Sequence, residues 1–405
     1  MIKILIKNGR ILDPKNNFDE VGDILIRDGV VQDIAPKLPE VKGTETIDAT
    51  GMWVTPGLID MHVHLREPGQ THKETIESGT KAAAAGGFTT VCAMPNTSPV
   101  CDCVEIMLRI IETGIQKSPV CVLPVGAITK GLEGREIVDL EGMAAKGILA
   151  FSDDGKTVMD SAIYLEAMKR ARELGLPILA HCEDLSLTGA EAEDTIIARD
   201  IELARQAGAR LHICHASTAG GVRLIRAAQK AGQAVTAEVT PHHFTLIDED
   251  VCADPNYKMA PPLRTRADRD AIIAALKDGV IDVIATDHAP HHADEKRDFA
   301  TSTNGIIGLE TAVPVAITHL AESGVLTPLE LIAKFTSNPA KILGLESGHL
   351  SRGAPADLAI IDPTARHTID KNTFRSLARN TPFHGREVTG RVIYTIFAGR
   401  VVFSQ

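Results

Sequence analysis

Between residues 58 and 285, short apolar runs alternate with stretches whose apolar positions return every three to four residues. The runs at 58–64, 89–94, 120–127, 147–151, 177–180, 210–214, 234–239 and 282–285 have the length of strands. Their apolar residues are consecutive rather than alternate, the pattern of strands covered on both faces. Between them, Ser161-Ala162-Ile163-Tyr164-Leu165-Glu166-Ala167-Met168-Lys169-Arg170 and Ala267-Asp268-Arg269-Asp270-Ala271-Ile272-Ile273-Ala274-Ala275-Leu276 each carry one apolar face at helical spacing. Eight strand-plus-helix units in series predict an α/β fold, a (β/α)8 TIM-like barrel, with a doubly wound open sheet as the alternative.

The two chain ends have another texture. Residues 1–54 alternate Ile-rich strands, starting with Met1-Ile2-Lys3-Ile4-Leu5-Ile6-Lys7, with Asn8-Gly9, Asp28-Gly29 and Lys42-Gly43 turns. Residues 355–405 do the same around Asp357-Leu358-Ala359-Ile360-Ile361-Asp362. Either piece alone offers few strands for a stable core, so both termini are expected to form one small β-sandwich domain. The expected division is 1–54 and 351–405 for that domain and 55–350 for the barrel.

Composition narrows the function classes. At 405 residues, 44% hydrophobic and 23% charged, the chain can bury a substantial core. A formal net charge of -11 without a basic cluster along the sequence argues against a nucleic-acid or anionic-membrane surface. The seven cysteines are an odd number; Cys92, Cys182 and Cys214 sit in apolar runs as small core residues do. No cysteine pair has zinc-knuckle spacing, and a reducing cytoplasm fits this usage. The start lacks the long apolar core of a signal peptide, and no apolar stretch approaches the ~20 residues of a membrane span.

Candidate chemistry gathers where the strands end. In Asp60-Met61-His62-Val63-His64-Leu65-Arg66 the pleat turns His62 and His64 to one face, where two imidazoles can share an ion, and Arg66 is expected on that same face. A lone pair of this kind is more often two satisfied core histidines. Here, however, Asn96, Asp153-Asp154, His181, His215 and Asp287 follow the ends of further strands, which is where a barrel places its active site. Four histidines and two aspartates exceed the needs of one tetrahedral ion, so the set implies two ions sharing a bridging carboxylate and a hydroxide. Zinc suits an imidazole-dominated set. The chemistry is hydrolysis or its reverse, and the residues alone leave Asp153 and Asp154 open as the bridge.

With these motifs the chain resembles the amidohydrolase superfamily and, nearly end to end, its class I dihydroorotases. The blocks that carry the resemblance are Asp60-Met61-His62-Val63-His64-Leu65-Arg66-Glu67-Pro68-Gly69, Met94-Pro95-Asn96-Thr97, Phe151-Ser152-Asp153-Asp154-Gly155, His181-Cys182-Glu183-Asp184, Thr240-Pro241-His242-His243 and Ala285-Thr286-Asp287-His288-Ala289-Pro290-His291. It implies two Zn2+ per subunit, one held by His62, His64, Asp154 and Asp287, the other by Asp154, His181 and His215. It further implies Asp287 as general acid/base, and His64, Arg66, Asn96, His291, Asn304 and Gly305 as substrate contacts. Related hydantoinases usually bridge with a carboxylated lysine where this chain has Asp154.

The implied reaction is the reversible cyclisation of N-carbamoyl-L-aspartate to L-dihydroorotate in pyrimidine synthesis. The rivals are a hydantoinase or dihydropyrimidinase, and a non-catalytic subunit that scaffolds aspartate transcarbamoylase. Implied partners are the small-molecule substrate, a second copy of the chain in a homodimer, and aspartate transcarbamoylase. Two departures stand out. The stretch 185–191 is shorter than the family's usual loop, so the chain either lacks that loop or is interrupted near Gly189, and Ala260 replaces a common substrate-contacting asparagine.

Overall fold

The computed structural model describes residues 3–40 and 42–405. Met1 and Ile2, the first residues of the run read as a strand, lie outside the described residues. The first strand is Lys3–Asp13, paired antiparallel with Phe18–Arg27 and parallel with Glu45–Asp48. Trp53–Pro56 then joins the chain ends, because it pairs parallel with Lys3–Asp13 and antiparallel with Leu358–Thr368. Val30–Ala35, antiparallel to Phe18–Arg27, together with Glu387–Phe397 and Arg400–Ser404, completes an eight-stranded sheet built from both termini. Ile4, Ile24 and Ile26 from one end pack with Leu358, Ile360 and Ile396 from the other, so neither end owns the core.

The second unit is a parallel barrel. Leu58–Val63, Phe88–Ala93 and Cys121–Pro124 form one arc, and Ile178–Ala180, Leu211–Ile213, Val235–Val239 and Val283–Ile284 form the other. At the fourth position the strand shrinks to Phe151, which bridges Gly126 on one side and Ile178 on the other. A bridge from Val63 to His288 closes the ring. That closure excludes the doubly wound open sheet, whose end strands would stay apart. Helices Ser161–Glu173 and Arg266–Lys277 stand where helical spacing predicts them, started by the side-chain caps Asp160 and Thr265.

One expectation changes in detail. Strand pairing ends at Val63, so the pleat does not carry Arg66. Instead Arg66 takes φ +61, and this left-handed residue turns the chain into the mouth. The short stretch after His181 folds as a closed turn: the Asp184 N–H donates to the Ala192 carbonyl (2.9 Å) and the Leu187 N–H to the Asp184 carbonyl (3.0 Å). Helix Glu191–Ala207 follows at once. Among the described residues no helix is long and apolar enough to cross a membrane.

Candidate active site

The barrel strands deliver side chains to one mouth, a cavity of about 330 Å³. His64, Arg66, Asn96, Asp154, His181, His215, Asp287, His291, Asn304 and Gly305 all line it, while His62 lies fully buried beneath. Every site residue expected from the sequence therefore converges here.

Asp154 sits at the centre of the imidazoles. Its Oδ1 faces His62 Nε2 (3.2 Å), His181 Nδ1 (3.5 Å) and His215 Nε2 (3.6 Å), and its Oδ2 faces His64 Nε2 (3.4 Å). Asp287 Oδ1 lies 2.9 Å from His64 Nε2 and 3.6 Å from His62 Nε2. The neighbouring Asp153 points elsewhere, accepting the Ile128 N–H (2.7 Å), the Thr129 N–H (3.0 Å) and the Thr129 hydroxyl. His215 (φ +34) and Asp287 (φ +47) share the left-handed backbone of Arg66. Such conformations cost roughly 1–3 kcal/mol each and concentrate where aiming a side chain outweighs local comfort.

A further ring of acceptors fixes the imidazoles. His62 Nδ1 contacts Glu238 Oε1 (2.7 Å), and Glu238 Oε2 contacts His212 Nε2 (3.1 Å). His64 Nδ1 contacts Asn96 Oδ1 (2.8 Å). Protonation of both Nδ1 atoms leaves the two Nε2 lone pairs aimed at the centre. Buried Asp60 accepts the His62 N–H (3.1 Å) and the Thr286 N–H (3.2 Å), tying the first strand to the last, and burial pushes its carboxyl up to about 7.

The electrostatics tie the members of the cluster to one another. Burial would lower the His62 pKa, but Asp154 and Glu238 raise it well above the usual imidazole value. Burial is overridden in the same way at His181, which Asp154 and Glu183 bring to about 9. Burial would raise Asp154 and Asp287, yet neighbouring imidazoles hold both carboxyls below their usual range. Imidazoles and carboxylates thus favour one another's charged forms across the cluster.

His62 Nε2 and Asp154 Oδ1 are buried without any hydrogen-bond partner, although only 3.2 Å separates them. His62, His64 and Asp287 converge closely enough to hold a cation, as do His62, Asp154 and His215. The donor set therefore fits a metal cofactor, through groups that sharply focused imidazole and carboxylate chemistry favours.

Arg66 stands beside this cage, 8% exposed, with its Nε donating to the Pro290 carbonyl (3.2 Å). Among the described residues no carboxylate pairs with it. His291 Nε2 contacts the Asn304 carbonyl (2.7 Å) and lies 3.5 Å from Arg66 Nη2. Burial, then the positive charge of Arg66, pushes His291 down to about 3, so it is a neutral imidazole at neutral pH. Two further histidines of the motifs are satisfied elsewhere: His243 binds Thr240 and Pro261, and His288 takes the Gly308 N–H and faces Glu74.

Sequence reasoning missed several participants. Glu238 and His212 read there as residues inside core strands, and only their polarity in an apolar run marks them. Glu183, 3.5 Å from His181 Nε2, and the exposed Leu185 line the rim; Ala260, noted from the sequence, lies in the wall.

This barrel with a His/Asp cage at its mouth is the architecture of a metal-dependent hydrolase. The Amidohydrolase family model matches residues 53–402, and the chain belongs to that family. Among its curated relatives, the dihydroorotase of Geobacter metallireducens is 46% identical over 425 residues, covering 100% of both chains. The dihydroorotase of Pelotomaculum thermopropionicum is 47% identical over 425 residues, covering 100% of this chain and 99% of that one. The chain thus takes its place among the dihydroorotases as a cyclic amidohydrolase. Both alignments are longer than the 405 residues of the chain. Among solved structures, the L-hydantoinase (dihydropyrimidinase) from Arthrobacter aurescens matches with a TM-score of 0.92 at 28% identity, covering 100% of this chain and 96% of that one.

Proposed function

We propose that the chain catalyses the reversible cyclisation of N-carbamoyl-L-aspartate to L-dihydroorotate and water, a step of de novo pyrimidine synthesis. The observation that carries this reading is the buried Arg66 guanidinium, which has no carboxylate of its own and stands beside the His/Asp cage. A buried cation without a partner is costly, and a substrate carboxylate supplies that partner bidentately. An uncharged hydantoin or dihydropyrimidine ring would leave it unpaired. Asp154, at the position where hydantoinases carry a carboxylated lysine, argues the same way.

In this reading His62, His64, Asp154 and Asp287 hold one zinc ion, and Asp154, His181 and His215 the second. Bound there, the metal supplies Lewis-acid polarisation of the ring carbonyl and acidifies water toward neutrality. The chain's own residues do the rest. Arg66 and Asn96 bind the α-carboxylate, and His64, His291, Asn304 and Gly305 hold the ring.

Asp287 moves the proton. In ring opening a C–O bond forms to the carbonyl carbon while the ring C–N bond breaks, and one water is consumed. Asp287, ionised because the imidazoles around it offset its burial, takes the proton released by the water and delivers it to the departing amide nitrogen. Cyclisation runs each transfer backwards.

The division into a catalytic barrel at 55–350 and a supporting β-domain from 1–54 and 351–405 belongs to the same proposal. So do a cytoplasmic location, a homodimer and association with aspartate transcarbamoylase. Turnover of N-carbamoyl-L-aspartate together with metal analysis tests the core of it: two zinc ions per chain and cyclisation are expected, and a zinc-loaded protein unable to cyclise would refute it.

A further inference from the structure

The connection between strands Leu358–Thr368 and Glu387–Phe397 leaves the small domain and reaches the barrel mouth. Two carboxylates, the partly buried Glu310 and the fully buried Glu74, anchor it. Glu310 accepts the N–H groups of Arg375 (2.8 Å) and Ser376 (3.1 Å). Glu74 takes the Ser376 hydroxyl and the Leu377 N–H (3.1 Å).

Past these anchors lies Asn380, 3% exposed. Its Oδ1 accepts the His291 N–H (3.2 Å), and its Nδ2 donates to the carbonyls of Ala289 (3.0 Å) and Gly305 (3.0 Å). Its own carbonyl accepts the Ile307 N–H (2.9 Å). One residue thus joins the loop after the last barrel strand to the loop that follows it, using both ends of the amide and its backbone. The gap it sets is narrow. Gly305 has φ +128, and a Cβ there would fall 2.7 Å from Ala289 Cβ and 3.0 Å from His291 Nε2.

We propose that Asn380 is a positioning residue for substrate recognition, holding His291 and the Asn304-Gly305 backbone at the spacing that grips the carboxylated ring alongside Arg66. This rests on the reading of those residues as substrate contacts. Only an amide fits the three partners: a carboxylate cannot donate to the two carbonyls, and a hydroxyl is too short to span them. Asn380 touches neither the cage nor the reacting atoms, so its influence falls on binding rather than on chemistry.

The test compares Asn380→Asp, Asn380→Ser and Arg66→Met in the zinc-loaded full chain, with KM and kcat for dihydroorotate and zinc content measured for each. Both Asn380 variants are expected to raise KM on the order of tenfold, with kcat within about threefold of the parent and zinc unchanged. If Asn380→Asp fails to fold, Asn380→Ser decides. A parental KM in the Asn380 variants beside a raised KM in Arg66→Met overturns this proposal alone, as does a joint loss of kcat and zinc with KM unmoved. A parental KM in Arg66→Met strikes the substrate reading itself and this proposal with it.

Discussion

The metal cage and the substrate wall face each other across one cavity, yet different parts of the fold hold them. The cage stands at the ends of barrel strands: His62 lies within the strand Leu58–Val63, and His181 and His215 directly follow or closely follow Ile178–Ala180 and Leu211–Ile213. Glu238 and Asn96 lock two of its imidazoles. Arg66 instead hangs from the loop after the first barrel strand, and His291, Asn304 and Gly305 from loops that Asn380 ties together from the far end of the sequence. In the proposed reading the hydrolytic machinery belongs to the barrel strands, whereas selection of a carboxylated ring belongs to the loops around them. A fold shared with a hydantoinase at a TM-score of 0.92 is what this division leads one to expect.

Three substitutions probe the division. Asp287→Ala, on the cage side, should have the largest effect, lowering kcat by roughly 10²–10⁴-fold, the range of general acid–base catalysis. Steady-state assay in both directions checks it, and a fully active variant would remove Asp287 from the chemistry. Arg66→Met, on the wall side, should raise KM by about 10–100-fold with a smaller change in kcat, since charged hydrogen bonds contribute ~1.5–3 kcal/mol each. Equal losses in both constants would show that the wall also serves the chemical step. Glu238→Gln keeps an oxygen for His62 Nδ1 but loses the charge, and it should weaken zinc binding about tenfold. Chelator competition measures that, and parental affinity would mean that the Glu238 contact does not tune the ligand.

The same division governs what the sequence revealed. Barrel strands are buried on both faces and show as continuous apolar runs, and polar residues just past their ends are conspicuous. The fourth strand showed as a run at 147–151, yet pairing survives there only at Phe151. Alternation also put Arg66 on the face of His62 and His64, because it cannot register the left-handed turn that follows the strand. Glu238 escaped notice because it occupies a core-strand position, and its partner His62 lies 176 residues away. Asn380 left no local signal either, since its partners are 73 to 91 residues distant and come together only when the barrel and the small domain pack. Local patterns report burial; they do not report which buried groups meet.

The central claim is that a hydrolytic cage common to cyclic amidohydrolases is turned toward a carboxylated substrate by Arg66. Its most direct test is turnover of N-carbamoyl-L-aspartate, L-dihydroorotate and an uncarboxylated hydantoin by one zinc-loaded preparation. Interconversion of the first two with hydantoin left essentially untouched is the predicted result. Hydantoin opening without cyclisation of N-carbamoyl-L-aspartate would contradict it.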